Sequence, residues 1–208
     1  MVEIRTVSRV VIATVLYYVI VTALLHFLEP DMDPVANPMS AYVLTDSGAL
    51  MTTTYFFLAA ALIALVIGLR RVLQRGVMPA ISFVLFSIAA VAAVMAGVFP
   101  GEPPPPQTFS GIIHLTSGII YTFTIGAAIV LVTLSVRKDA RWRGVVTLVT
   151  WLAIGVVIGT VLFPVMAPGG GGGLAQRASF AVTFAWMIVV AHEMPKIAIV
   201  VPGYAVRA

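Results

Sequence analysis

The sequence predicts an all-α integral membrane protein, a bundle of six transmembrane helices with both termini on the cytoplasmic side. Three observations carry this. Hydrophobic residues make up 61% of the 208 and charged residues only 10%, whereas a soluble fold needs about 25% charged residues to clothe its surface. The mean hydropathy is +1.08, and the apolar residues gather in six runs, each near the roughly 20 residues that cross a hydrocarbon core. The basic residues fall in every second connection between those runs, which is the positive-inside pattern.

The first run, residues 10–28, follows Arg5 and Arg9 and passes directly into Leu24-Leu25-His26. No small-residue cleavage site closes it, so it reads as an uncleaved first helix. The second and third runs, 49–69 and 78–99, enclose Arg70, Arg71 and Arg75. The fourth and fifth, 111–135 and 144–164, enclose Arg137, Lys138, Arg141 and Arg143. The sixth, 178–200, carries Lys196 near its end, with Arg207 beyond. Backbone groups in lipid must be satisfied within the segment, so all six are helices. The remaining connections, 29–48, 100–110 and 165–177, hold one basic residue, Arg177, and are expected outside. Pro100 and Pro164 are expected to end the third and fifth helices, because proline cannot continue the hydrogen-bond ladder. The first outer connection is acidic, with Glu29, Asp31, Asp33 and Asp46. Pro103 to Pro106 predict a stiff polyproline spacer in the second, and Gly169 to Gly173 a mobile tether in the third.

Composition also excludes whole classes of function. There is no cysteine, hence no disulfide, thiolate metal site or thiol nucleophile. The net charge of +4 comes from residues at helix ends, with no basic patch interleaved with aromatics, so nucleic acid is not an expected partner. No phosphate-binding loop is present, which argues against primary active transport by this chain.

Polar residues inside the apolar runs mark the expected site. On the fourth helix Ser110, His114, Ser117, Tyr121 and Thr124 recur at spacings of three and four, which keeps them on one face. Polar groups facing lipid are unfavourable, so this stripe is expected to point into the bundle. Tyr18, Thr22 and His26 do the same on the first helix, and Ser179, Thr183 and Trp186 on the last. His26, Glu29, Asp31, Asp33 and His114 share one membrane side and are candidates to organise a ligand site. With Asp33, the two histidines are candidate metal ligands. Acid-base work, or axial ligation of a haem, is open to the same groups; the plainer alternative is hydrogen bonding within the loop. Arg177 starts the sixth helix on the translocated side, where it calls for an anionic partner; the acidic first loop or a lipid headgroup would supply one. Gly155 and Gly159 are spaced for close helix packing. His192-Glu193 lies at the opposite membrane side, apart from this group.

The string His26-Phe27-Leu28-Glu29-Pro30-Asp31-Met32-Asp33-Pro34-Val35, continued by Ser40-Ala41-Tyr42-Val43, resembles the first-loop motif of DUF998, a family of small bacterial membrane proteins of unknown function. Gly97-Val98-Phe99-Pro100, Gly111-Ile112-Ile113-His114 and Gly173-Leu174 with Gln176-Arg177 are similar to its later motifs. One departure is Gly101-Glu102, where the family's pattern has an Asp. The resemblance implies topology and a place in the bacterial cytoplasmic membrane, but no reaction. The residues themselves favour a binding or accessory protein that holds a lipid, a small amphiphile or a partner subunit at an outward-facing polar cleft. The alternatives are an intramembrane enzyme acting on a lipid or isoprenoid, with or without metal, and a haem or quinone protein. The cofactor is left open.

Overall fold

A computed structural model describes residues 3–103 and 105–199. It contains six long helices: α1 (Ile4–Leu28), α2 (Gly48–Val72), α3 (Val77–Val98), α4 (Phe109–Val136), α5 (Val146–Met166) and α6 (Gly172–Ile199). All six are long and apolar enough to cross a membrane, so the chain is a multi-pass membrane protein. Arg207, Pro104 and the last residue of the expected sixth helix lie outside the described residues.

The observed helices extend past the apolar runs. α1 includes Arg5 and Arg9, both exposed, since long basic side chains carry their charge to the interface while their stems cover apolar surface. Arg70 and Arg71 occupy the last turn of α2, where a cation complements the negative end of the helix dipole. Two expectations from proline and glycine need correction. Pro100 does end α3, but Pro164 lies inside α5, which continues to Met166. The glycine-rich connection is also shorter than expected. Gly172 and Gly173 belong to α6, leaving a 3-10 turn over Ala167–Gly169 and Gly170 at φ 78°.

The helices close into a ring in chain order, α1 to α6, with α6 packed back on α1 and α2 also reaching α6. Short connections make neighbours antiparallel, so one end of the ring holds the basic connections and the other holds residues 29–47, 99–108 and 167–171. The basic end is tied by side chains. Ser8 Oγ donates to Ala191 O at 2.6 Å, a carbonyl that Pro195 cannot serve because it has no N–H. Arg141 is bound to Asp139 and donates to Val72 O at 2.8 Å, joining the α4–α5 connection to the end of α2.

What fills the ring changes along its length. Towards the basic end its interior is occupied by Trp186, Phe86, Met187 and Leu65, all fully buried, and Trp186 Nε1 donates to Thr133 Oγ1 at 3.1 Å. Towards the other end the buried positions of α3 become Ala89, Ala90, Ala92, Ala93 and Ala96. α3 packs closely on α2 and α4 there, and Ala92, Ala93 and Ala96 border a space inside the ring. Between α5 and α6 a Cβ on Gly159 would lie 2.7 Å from Ser179 Cβ, so the glycine spacing on α5 serves close packing within the chain.

Candidate functional site

The space beside the α3 alanines is a cavity of about 310 Å³ in the half of the ring away from the basic end. Tyr18 of α1, Tyr55 of α2, His114, Ser117 and Tyr121 of α4, Thr160 and Pro164 of α5, and Gln176 and Phe180 of α6 line it, with Ser40 above. The middle of the polar stripe on α4 points inward, with Ser117 and Tyr121 buried and His114 in the wall, whereas Ser110 and Thr124 at its ends are half-buried and do not line the cavity. Leu115, Ile119 and Phe123, also of α4, line the cavity yet are 48, 50 and 58% exposed. A Cβ at Gly118 would meet nothing within 4 Å. The cavity is thus open on the outer surface of the ring beside α4, towards α5, where the ring is most loosely packed.

Three tyrosines line this space. The Tyr55 and Tyr121 hydroxyls are buried and have no hydrogen-bond partner. Tyr18, 2% exposed, lies within electrostatic reach of both. The Phe180 ring is sandwiched between Tyr18 and Tyr121, with centroids at 5.5 and 5.8 Å. Among the lining residues there is no Asp, Glu, Lys or Arg.

The first connection folds over the end of the ring as a lid. Three hydrogen bonds fasten it to the start of α6, and a fourth ties α6 to the end of α1. Leu174 N donates to Val35 O at 3.0 Å, Met39 N to Gln176 Oε1 at 2.6 Å, and Arg177 Nη1 to Asn37 O at 2.8 Å; Arg177 Nε reaches back to His26 Nε2 at 3.1 Å. His26 Nε2 accepts here, so its Nδ1 carries the proton and donates to Thr22 O at 2.6 Å. Tyr42, fully buried under the lid, places its ring 5.6 Å from His26 and 5.9 Å from the Arg177 guanidinium. Its negative face offsets part of the cost of burying that cation, whose Nη2 is buried without a partner.

These contacts redistribute the residues expected to form one site. Arg177 does not pair with Glu29, Asp31 or Asp33. Among the described residues its partners are an imidazole and the carbonyls of Asn37 and Gly173. Carbonyl dipoles take the role expected of a carboxylate because the lid backbone, not its acids, faces α6. Glu29 accepts from Ser47 N at 2.8 Å and joins the two ends of the lid; the Ser47 side chain, and after it this backbone bond, hold its carboxyl below the usual glutamate range. Asp33 Oδ1 accepts from Val35 N at 2.8 Å within a local turn, and Asp31 is exposed. His114 is elsewhere. Its Nδ1 lies 3.0 Å from both Ala96 O and Phe99 O, its ring meets Tyr55 edge-on at 5.8 Å, and Gly101 lies against it.

The ring order sets α1 and α4 across from one another, and the two histidines share no partner. The single centre expected of His26 and His114 is therefore replaced by two: a latch around His26, Tyr42 and Arg177, and a cavity wall that includes His114. Among the described residues no three His, Asp or Glu side chains are grouped to hold a metal ion. Of the candidates for one, His26 is engaged in the latch and Asp33 in a local turn, while His114 stands apart with its Nδ1 at the Ala96 and Phe99 carbonyls. Glu102, at the departure from the family pattern, accepts from Thr108 N at 2.8 Å and from Gln107 N, and so anchors the chain entering α4. Sequence reasoning missed Tyr55, Gln176 and the α3 alanines. A lone tyrosine in an apolar helix reads as core, while the run of alanines on α3 was the available signal for space.

The quoted motifs thus meet in pairs, His26 to Tyr42 with Gly173 to Arg177, and Gly97 to Pro100 with Gly111 to His114. The model of the family described as "Protein of unknown function (DUF998)" matches residues 11–193, and the chain belongs to that family. No curated protein and no solved structure matches it.

Proposed function

We propose that this DUF998 member is a membrane binding protein that holds one lipid or small amphiphile in the cavity beneath its lid. The observation that carries this is the combination of an opening beside α4 among exposed apolar side chains and an interior lined by tyrosines, two of whose hydroxyls are buried without a partner. A molecule entering from the bilayer would keep its chain against Leu115, Ile119 and Phe123 and bring its polar head to Tyr55 and Tyr121. Pockets for such ligands are apolar, with a few placed polar groups. About 310 Å³ suits a head and the first part of a chain, the rest remaining in lipid. The carboxylates near the lid have structural partners or face solvent, and none lines the cavity, which favours binding over acid-base chemistry.

In this reading the lid faces the extracytoplasmic side of a bacterial cytoplasmic membrane, and the basic end, with both termini, faces the cytoplasm. Cysteines introduced at residues 40 and 73 test the orientation, since the chain has none of its own; an impermeant reagent added to intact cells should label the first and spare the second. Binding itself is tested by mass spectrometry of the protein released from mild detergent. The parent should retain a bound amphiphile, and Gly118→Phe, which places a ring in the open mouth, should lose it while remaining folded. Equal retention by both would refute the cavity as the site.

A further inference from the structure

Resting on that reading, we infer that the cavity selects an uncharged amphiphile, one whose head offers hydroxyl or carbonyl oxygens, and rejects phosphate-bearing lipids. The inside of the cavity is polar, and no Asp, Glu, Lys or Arg is among its lining residues, His114 being the imidazole in its wall. Tyr55 and Tyr121 are 8 and 7% exposed, and both hydroxyls are unpartnered and share the cavity with Tyr18. A buried hydroxyl without a partner is costly, and it is retained where something else supplies the bond. An uncharged oxygen satisfies it. A phosphate would have to leave water for a wall without a lysine or arginine, at a far higher cost.

Arg177 is the nearest cation that could answer a phosphate, and it is committed elsewhere. Its Nε and Nη1 hold His26, Asn37 and Gly173; its Nη2 is buried without a partner, and the residue stands behind the cavity wall and does not line it. Thr160 and Pro164 of α5 line the same space as Tyr18, Tyr55 and Tyr121, and Pro164, having no N–H, removes the usual helical donor to the Thr160 carbonyl.

The test uses the full chain in mild detergent, offered an equimolar mixture of a diacylglycerol, a prenylquinone and phosphatidylglycerol, with bound species read by native mass spectrometry. Retention of the diacylglycerol or the quinone over phosphatidylglycerol is expected. The two uncharged probes differ in source, and whichever binds names it: hydroxyl with ester carbonyl, or quinone carbonyl. Tyr55→Phe and Tyr121→Phe should each weaken retention about tenfold, the value of one hydrogen bond lost to a bound head. Neither should lower the thermal midpoint of the empty protein, because each removes an unsatisfied group. A destabilised variant would mean the hydroxyl serves the fold and would overturn the inference. So would preferential retention of phosphatidylglycerol, or full retention by both Phe variants; in either case binding that Gly118→Phe still abolishes leaves the cavity reading standing. If no amphiphile is retained by any form, both readings fall.

Discussion

Gly173→Ala separates local helix propensity from tertiary contact, because the two predict opposite signs. Gly173 is in the first turn of α6, and replacing a helical glycine by alanine ordinarily stabilises by up to about 1 kcal/mol. Here the new Cβ would contact Asn37 O and would lie 2.6 Å from Pro34 O, where ordinary contact begins at 3.4 Å. The obstacle is lid backbone and not the end of a flexible side chain, so the lid must withdraw by about 0.8 Å, the difference between those two distances. Leu174 N to Val35 O and Arg177 Nη1 to Asn37 O, now 3.0 and 2.8 Å, would both pass beyond hydrogen-bond length. The first is worth about 1 kcal/mol and the charge-assisted second about 2 kcal/mol. Against the propensity gain, a net loss of about 2 kcal/mol is expected. Thermal unfolding in detergent measures it, and protease sensitivity of residues 31–47 reports whether the lid has lifted. A Gly173→Ala protein as stable as its parent, with the lid equally protected, would refute the account of α6 as the lid's seat.

Arg177→Met removes three hydrogen bonds of 2.8 to 3.1 Å and should cost about 2–4 kcal/mol after the relief of an incompletely paired buried cation. Arg177→Lys should fall between, since one ammonium cannot span His26 and Asn37 as a planar fork does; thermal midpoints of all three proteins check the order, and a Met variant matching the parent would show a merely solvated arginine. Acidification should loosen the lid through Glu29. Its carboxyl is held below the usual range by Ser47, so its contribution is complete above the unfolded chain's carboxylate range and is lost as pH falls through the lower folded value. Glu29→Gln should remove part of the acid-side decline in thermal midpoint between about pH 5 and 3; an unchanged profile would show that the Glu29–Ser47 bond contributes nothing.

The sequence by itself determined the six helices, their alternation, and the inward face of the first, fourth and sixth. Length and hydropathy suffice for the first, because a backbone in lipid has no alternative to the helix. Period suffices for the last: Ser117 and Tyr121 are buried as their spacing with His114 requires. Glycine and proline were less legible, since Pro164 is accommodated inside α5 and Gly173 opens α6. Tertiary structure alone decided what those inward faces meet. Hydrophobicity gives no preference for one neighbouring helix over another in a bilayer. The order around the ring follows from the shapes that pack, Gly159 against Ser179 and Trp186 against Phe86. That order set His26 and His114 apart, and it turned the carbonyls of the first connection, and not its carboxylates, towards Arg177. It also left the α3 alanines facing a space that no single segment could reveal, because a cavity is the absence of atoms from six helices at once.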